Sequence, residues 1–525
     1  MTQLEAARKG KITEEMAYVA EKEGVSPEFV REGVAAGRIV IPRNPNHKTL
    51  TDFKGIGEGL SVKVNANLGT SYDYVNVEEE VEKARVAIQY GADTVMDLST
   101  GGDLKAIRKR ILEVATVPLG TVPIYEAEFR AARRKNFFDM SADELFQVIE
   151  EHGKEGVDYI TVHVGVTLKN LEVYRNSPRT TGIVSRGGGL MAAWMLHRGE
   201  ENPLYARFDD LLDIARTYDM TLSLGDGLRP GSLADSTDRA QIAELLTIGE
   251  LVERARRAGV QAMVEGPGHI PLNEVAANVQ IQKKLTGHAP FYILGMLPVD
   301  TAAGFDHIAG AIGGALAGWW GADMLCYLTP AEHLGLPTPE HVKQGVIAFK
   351  IAAHAADVAR GNKRALERNR RMSEARYRLD WEGQFALALF PEEARRLKEE
   401  RGSKTKACSM CGPFCPMNLV EAVLKGKGRM ELPVACGQGR PRPSGTPALG
   451  QGPLPPPPAS RVRLGPGRHG RGAHQLHPAR PFPGLRPGPG GGGAFGERGA
   501  SRDALRGPPR GAARRPVRPE GGGGV

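Results

Sequence analysis

Three cysteines, Cys408, Cys411 and Cys415, lie within eight residues in a C-x2-C-x3-C pattern. Three thiolates can hold three irons of a 4Fe–4S cluster. The fourth iron then stays open to bind and reduce a ligand such as S-adenosylmethionine. A structural zinc knuckle is the competing reading, but zinc usually takes four ligands in a closed cage. No histidine lies between His354 and His469 to complete one. Two histidines form a second group. Glu265-Gly-Pro-Gly-His269 and Thr329-Pro-Ala-Glu-His333 each end a strand-like run. His269 and His333 could therefore make a two-histidine metal site with open positions; a satisfied structural histidine is the alternative for each. His163, at the end of YITVHVG, could hydrogen-bond a substrate. A third group favours anions. Ser185-Arg186-Gly187-Gly188-Gly189 and Asp226-Gly227-Leu228-Arg229-Pro230-Gly231 each combine a guanidinium with glycine-flanked N–H groups. That combination suits a phosphate. Asp226 suits a ribose hydroxyl or a ring amine. Two such loops on one rim point to a phosphorylated substrate.

These residues need a scaffold that gathers them. From residue 62 onward, apolar β-branched segments alternate with helical stretches. The strand candidates are 62–69, 93–100, 119–125, 158–165, 181–188, 221–228, 261–269, 292–300 and 324–330. Helical periodicity fills VEEEVEKARVAIQYG, DELFQVIEEHGKEG, RFDDLLDIARTYD and AQIAELLTIGELVERARRAG between them. Repeated βα units imply a parallel sheet. Nine candidates for eight places make one a loop or an extra strand. A doubly wound sheet would concentrate function at one switch point. Here nearly every strand ends in polar residues: Asn65 and Asn67, Asp97, Tyr125, His163, Ser185 and Arg186, Asp226 and Arg229, Glu265 and His269, Asp300. A barrel collects all strand C-termini at one mouth. The fold class is therefore α/β, a (β/α)8 TIM-type barrel over 61–336. A small N-terminal segment (1–60) precedes it, with Ser26 as N-cap and Pro27 at the first position of a short helix. A helical region (337–400) and the cysteine segment (401–435) follow.

Composition divides the chain near Cys436. The last 90 residues hold 15 Arg, no Lys and 3 acidic residues, with 23 Gly and 18 Pro. The first 435 hold 54 basic and 58 acidic side chains. The body is mildly acidic, so the formal charge of +8 does not mark a nucleic-acid binder. The tail (436–525) is low-complexity and cannot build a core. An RNA-contacting arm is one reading of it. Gly, Pro, Arg and Ala are also what GC-rich codons encode out of frame, and a frameshifted C-terminus is the expectation. No run of about 18 apolar residues exists, so no membrane span is expected. The first residues carry charges where a signal peptide needs an apolar stretch, so a cytoplasmic location is expected. Five cysteines, three of them clustered, indicate a reducing compartment.

The strings NANLGTS, ADTVMDLSTGG, GTVPIY, TGIVSRGG, LSLGDGLRPGS, EGPGH, TPAEHLGLP and CSMCGPFCPM occur in this order. Over about residues 10 to 425 the chain resembles the phosphomethylpyrimidine synthases of thiamine biosynthesis. The resemblance implies a (β/α)8 barrel with a C-terminal cluster segment and a non-standard radical S-adenosylmethionine lyase. It implies conversion of 5-aminoimidazole ribonucleotide into 4-amino-5-hydroxymethyl-2-methylpyrimidine phosphate. Carbon monoxide, formate, methionine and 5′-deoxyadenosine would be the other products. Substrate contacts would fall on Asn67, Met96, Tyr125, His163, Ser185, Arg186, Gly187, Asp226, Gly227, Leu228, Arg229, Glu265 and Tyr292. Zinc would fall on His269 and His333, and the 4Fe–4S cluster on Cys408, Cys411 and Cys415. An electron donor such as a flavodoxin or ferredoxin and a homodimer are implied, with no nucleic acid and no membrane as partners. The family pattern is C-x2-C-x4-C, one residue longer than here. Alternatives are a hydroxybenzimidazole synthase acting on the same ribonucleotide, and a metal-binding regulatory or RNA-binding protein. A zinc-dependent barrel hydrolase would leave the three cysteines without a purpose.

Overall fold

The computed structural model describes residues 1–134 and 136–425. The tail expected over 436–525, with Cys436, and the part of the cysteine segment past 425 lie outside the described residues. Eight parallel strands close into a barrel: β1 (Lys63–Leu68), β2 (Thr94–Asp97), β3 (Leu119–Thr121), β4 (Tyr159–Val162), β5 (Thr221–Leu224), β6 (Ala262–Gly266), β7 (Phe291–Leu294) and β8 (Met324–Cys326). β8 returns to β1, with Met324 opposite Lys63 and Cys326 opposite Asn65. The expected (β/α)8 barrel is therefore observed.

The four periodic stretches are helices Val77–Gln89, Ala142–Glu155, Phe208–Tyr218 and Arg239–Arg257. Three of the four start where a short polar side chain satisfies free N–H groups. Asn76 caps the first, Ser141 with Glu144 forms a capping box on the second, and Asp238 caps the last. Eight of the nine strand candidates overlap a barrel strand. The ninth, 181–188, does not. Ile183 and Val184 give it a strand-like look, but the Ser185 hydroxyl accepts the Gly188 N–H at 3.2 Å and starts helix Arg186–Arg198. Tyr125 also departs from its expected strand end. It sits in the first turn of helix Pro123–Arg134, because Pro123 is preset for a helix start and cannot donate to a ladder.

A polar layer crosses the barrel beneath the mouth. Tyr159 Oη and Thr94 Oγ1 each donate to Asn65 Oδ1 at 2.8 Å, and Asn65 Nδ2 donates to Tyr292 Oη at 2.7 Å. The Tyr159 ring needs Gly120 beside it, since a Cβ there would stand 2.2 Å from the ring.

The opposite end of the barrel is covered by the N-terminal segment. Helices Gln3–Arg8, Glu14–Glu23 and Pro27–Ala35 share a small core with Ile39 and Ile41. Ser26 caps the third, as expected. The segment then pairs with the residues that enter the strands. Ile41 exchanges two hydrogen bonds with the Gln261 side chain, at 2.8 and 3.0 Å. Asp158 accepts from Asn44 N and Leu119 N, both at 2.8 Å, and pairs with His47 Nδ1 at 2.6 Å. After β8, helices Pro339–Ala359, Lys363–Tyr377, Trp381–Leu387 and Pro391–Arg401 run to the cysteine segment. No helix among the described residues is long and apolar enough to cross a membrane.

Candidate active site

The C-terminal ends of the strands surround a cleft of about 70 Å³. Asn67 (β1), Met96 (β2), His163 (after β4), Asp226 and Arg229 (after β5), Glu265 (β6) and Tyr292 (β7) all line it, together with Tyr125. Thr161, Cys326 and several apolar side chains complete the wall. Asn67 Nδ2 lies 3.0 Å from Cys326 Sγ, and Tyr327 Oη donates to Asn67 O at 2.7 Å. Thr161 Oγ1 donates to Glu265 Oε1 at 2.9 Å. Arg229 Nη1 donates to Asp226 Oδ1 at 3.0 Å.

The electrostatics follow from two buried carboxyls around one buried guanidinium. Burial pushes Asp226 and Glu265 above the usual carboxylate range, and Asp226 pushes Glu265 further. Arg229 stays charged because both carboxyls face it. Burial, with Arg229 nearby, lowers His163 to about 3, so its imidazole is neutral. His163 Nδ1 is buried without a partner. Burial likewise raises the Cys326 thiol to about 12 and keeps it protonated.

The predicted anion loops meet beside this cleft. Ser185 places Arg186 and Gly187 at the start of helix Arg186–Arg198, whose free N–H groups and dipole favour negative charge. The Arg186 guanidinium lies 5.1 Å from the centre of the Tyr125 ring. Gly187 passes against the His163 ring, where a Cβ would come within 2.2 Å. Gly188 crosses Gly227 so closely that a Cβ would sit 2.4 Å from its Cα. Arg179 ties the loops together, donating to Leu228 O at 2.5 Å and to both Asp238 oxygens. The Leu228 side chain faces the core rather than the cleft, and only its peptide takes part. Gly188→Ala must move two backbones apart. It should cost about 1–3 kcal/mol in urea unfolding and raise KM for a phosphorylated substrate.

His269 and His333 stand with ring centres 5.5 Å apart. Each Nδ1 faces a carboxylate, Asp300 Oδ1 at 2.8 Å and Asp306 Oδ1 at 3.0 Å. That arrangement sets the tautomer and leaves each Nε2 lone pair available. The donor set fits a zinc-type ion with open positions. Among the described residues, no three His, Cys, Asp or Glu side chains converge on one point. Asp300→Ala or Asp306→Ala should weaken zinc binding by about 10–100-fold in a chelator competition titration.

The cysteine segment does not line the cleft. Cys415 packs with Leu379 and Ala407 in a small cluster that Cys411 and Met417 adjoin. Trp381 Nε1 donates to Lys406 O at 2.9 Å and anchors the segment to helix Trp381–Leu387. Gly412 turns in the left-handed region at φ 52°, and its N–H donates to Cys408 O at 2.9 Å. N–H groups of Met410 and Cys411 pull the Cys408 thiol below its usual range. A low-lying thiol, three sulfurs in one loop and inward N–H groups fit an iron–sulfur cluster.

Sequence reasoning missed Asp306, Cys326, Thr161 and Arg179. Asp306 opens helix Asp306–Trp320, 27 residues before the histidine it orients, and carries no local signal. Cys326 and Thr161 belong to strands β8 and β4, and only the barrel register turns them toward the cleft.

A family model described as the radical SAM ThiC family matches residues 2–422. The chain is 56% identical over 426 residues to the phosphomethylpyrimidine synthase of Desulforamulus reducens, covering 81% of this chain and 98% of that protein. It is 56% identical over 428 residues to the phosphomethylpyrimidine synthase of Methanocaldococcus jannaschii, covering 81% and 100%. The dihydropteroate synthase structure from Thermus thermophilus superposes on 61% of the chain and 99% of its own, with a TM-score of 0.36 at 14% identity. A single family model thus runs from the N-terminal segment through all three clustered cysteines, and the chain belongs to the radical SAM ThiC family.

Proposed function

We propose that the chain is a phosphomethylpyrimidine synthase. It converts 5-aminoimidazole ribonucleotide into 4-amino-5-hydroxymethyl-2-methylpyrimidine phosphate, at the expense of S-adenosylmethionine. The observation that carries this reading is a glycine-rich helix start packed beside a cleft that holds a buried Asp226–Arg229–Glu265 group. The first suits a phosphate, and the second suits the hydroxyls and amine of an aminoimidazole ribonucleoside.

In this reading, Arg186 and the N–H groups after Ser185 hold the phosphate. Arg229 is kept charged and oriented by Asp226. Asp226 and Glu265, partly protonated, accept and donate to ribose hydroxyls and to the imidazole amine. Neutral His163 offers a ring nitrogen to the substrate without adding charge. Asn67 and Tyr292 close the floor, and Met96 supplies an apolar wall that keeps water from the reacting carbon atoms. Cys408, Cys411 and Cys415 hold the 4Fe–4S cluster, and His269 and His333 hold zinc. When bound, the reduced cluster supplies the electron that cleaves S-adenosylmethionine. A flavodoxin or ferredoxin is the electron donor, and the enzyme works in the cytoplasm. The homodimer is assigned to the face of helix Asp306–Trp320 that exposes Ile308, Ile312 and Trp319, because an apolar stripe of this kind asks for a second copy. Sedimentation across a concentration series tests that face with Ile312→Glu, which should yield monomer.

The functional experiment is anaerobic reconstitution with iron and sulfide. It is followed by turnover with the ribonucleotide, S-adenosylmethionine and dithionite, and by mass analysis. Pyrimidine phosphate with 5′-deoxyadenosine is the expected outcome. A hydroxybenzimidazole product, or zinc instead of iron on the cysteines, would overturn it.

A further inference from the structure

A second, smaller cavity of about 20 Å³ lies behind the Asp226–Arg229 turn. Asp226, Glu244, Glu265, Gln241, Asn278 and Gln282 are among its walls. A space of about 10–15 Å³ already admits one water molecule. Three buried oxygens of these residues have no hydrogen-bond partner: Asp226 Oδ2, Glu244 Oε1 and Gln282 Oε1. The Asn278 amide is fully engaged, and the Gln241 amide gives away one of its two hydrogens. Gln241 Nε2 donates to Asn278 Oδ1 at 2.7 Å, and Asn278 Nδ2 donates to Thr237 Oγ1 at 2.9 Å and Glu274 O at 3.1 Å. All three orphaned atoms are acceptors, and acceptors cannot satisfy one another. One water donates two hydrogens. The third comes from a spare amide hydrogen or from a proton on a carboxyl group.

Glu244 is the place for that proton. It lies on helix Arg239–Arg257, is 2% exposed, and accepts the Leu228 N–H through Oε2 at 2.7 Å. The charged groups around it are Asp226 and Arg229 on the turn, Glu265 on β6 and Arg179 on the connection between β4 and β5. Arg179 is spent on Asp238, and Arg229 already serves Asp226 and Glu265. Helix Leu272–Leu285 presents only uncharged Asn278 and Gln282 to the cavity. Three carboxyls thus share one guanidinium in a buried setting, which the cost of burying unpaired charge does not allow in fully ionised form. Burial, then Asp226, push Glu244 well above its ordinary range.

We propose that Glu244, holding a proton and sharing one buried water with Asp226 and Gln282, is a positioning residue that sets the direction of Asp226 and Arg229 from behind the cleft. Its role in turnover rests on the cleft being the ribonucleotide site. The Leu228 peptide hangs from one Glu244 oxygen, and the water steers the free oxygen of Asp226. The front oxygen of Asp226 is thereby left to Arg229.

Glu244→Gln and Glu244→Ala, made in the full chain, test this in two ways. The first is thermal unfolding from about pH 5 to about pH 9. An unfolded glutamate releases its proton near about pH 4.3, whereas the folded one retains it. The stabilisation is therefore full below the unfolded value and is lost as pH rises toward the folded one. Glutamine keeps the shape and cannot ionise. Its melting temperature relative to the parent should climb steadily with pH, while alanine melts lower throughout. A flat or falling difference for Glu244→Gln would overturn the proton. The second is steady-state kinetics. Alanine should raise KM about tenfold with kcat within about threefold, and glutamine should bring KM back to within about threefold of the parent. Unchanged KM in Glu244→Ala, or equal damage in both variants, would overturn the positioning role. If the parent does not turn over the ribonucleotide, the functional reading fails alone, because the melting series still decides the buried proton.

Discussion

Cys411→Ala is expected to abolish turnover while leaving the barrel folded. Three sulfurs are the whole supply of protein ligands in the loop, and two cannot hold a 4Fe–4S cluster. Iron should fall from about four per chain to background after reconstitution, with loss of the reduced-cluster EPR signal. Turnover should drop by about 10⁴-fold or more, since no other group here can deliver a single electron. The fold should barely register the change. Cys411 touches only the edge of the small Leu379–Ala407–Cys415 cluster, apart from the two large cores of the barrel. Its removal should shift unfolding by less than about 1 kcal/mol. A barrel that melts much lower would mean that the segment does more than carry ligands.

Arg229→Met is expected to have the second-largest effect, and to show it through pH. Among the described residues, Arg229 is the cation set against Asp226 and Glu265. Methionine keeps bulk and removes charge. Breaking a buried pair in this way costs about 3–5 kcal/mol when the remaining groups are charged. Both carboxyls already lie above their unfolded values, so their stabilisation is present below those values and lost as pH rises through the folded ones. Without Arg229 the folded values rise further, and the loss deepens. The deficit of the variant should be small near about pH 4.5 and grow toward about pH 8 in urea unfolding. Substrate turnover should fall about 10³-fold, because phosphate and ribose lose a forked donor held in place. A deficit of the same size at every pH would mean that the carboxyls are ionised without their partner.

Much of the barrel could be read from the chain because βα alternation is local. Runs such as DYITVHVG followed by capped helices announce their own period. The gathering of the candidate site at one mouth was legible for a related reason, since polar residues at apolar strand ends have little structural purpose except at a shared mouth. Position 181–188 misled because Ile183 and Val184 imitate a strand, while the deciding contact is one hydroxyl, Ser185, on an N–H three residues later. Asp306 and Glu244 escaped for the opposite reason. Each acts on a partner brought near only by the closed sheet, His333 in one case and the Leu228 peptide in the other.

The N-terminal segment has a consequence for how the chain is made. Thr2 Oγ1 donates to Gly259 O, 257 positions later, and Ile41 N donates to Gln261 Oε1, 220 positions later. The first forty residues leave the ribosome with their docking surface still untranslated. At about 5–20 residues per second, the wait lasts about 10–50 seconds. During it, Met16, Val19, Val30, Val34 and Ile39 have only one another to cover them. Contacts at this sequence separation also make closure the slow step. The opening helices can take their seat on the barrel only once Gly259 and Gln261 have been made.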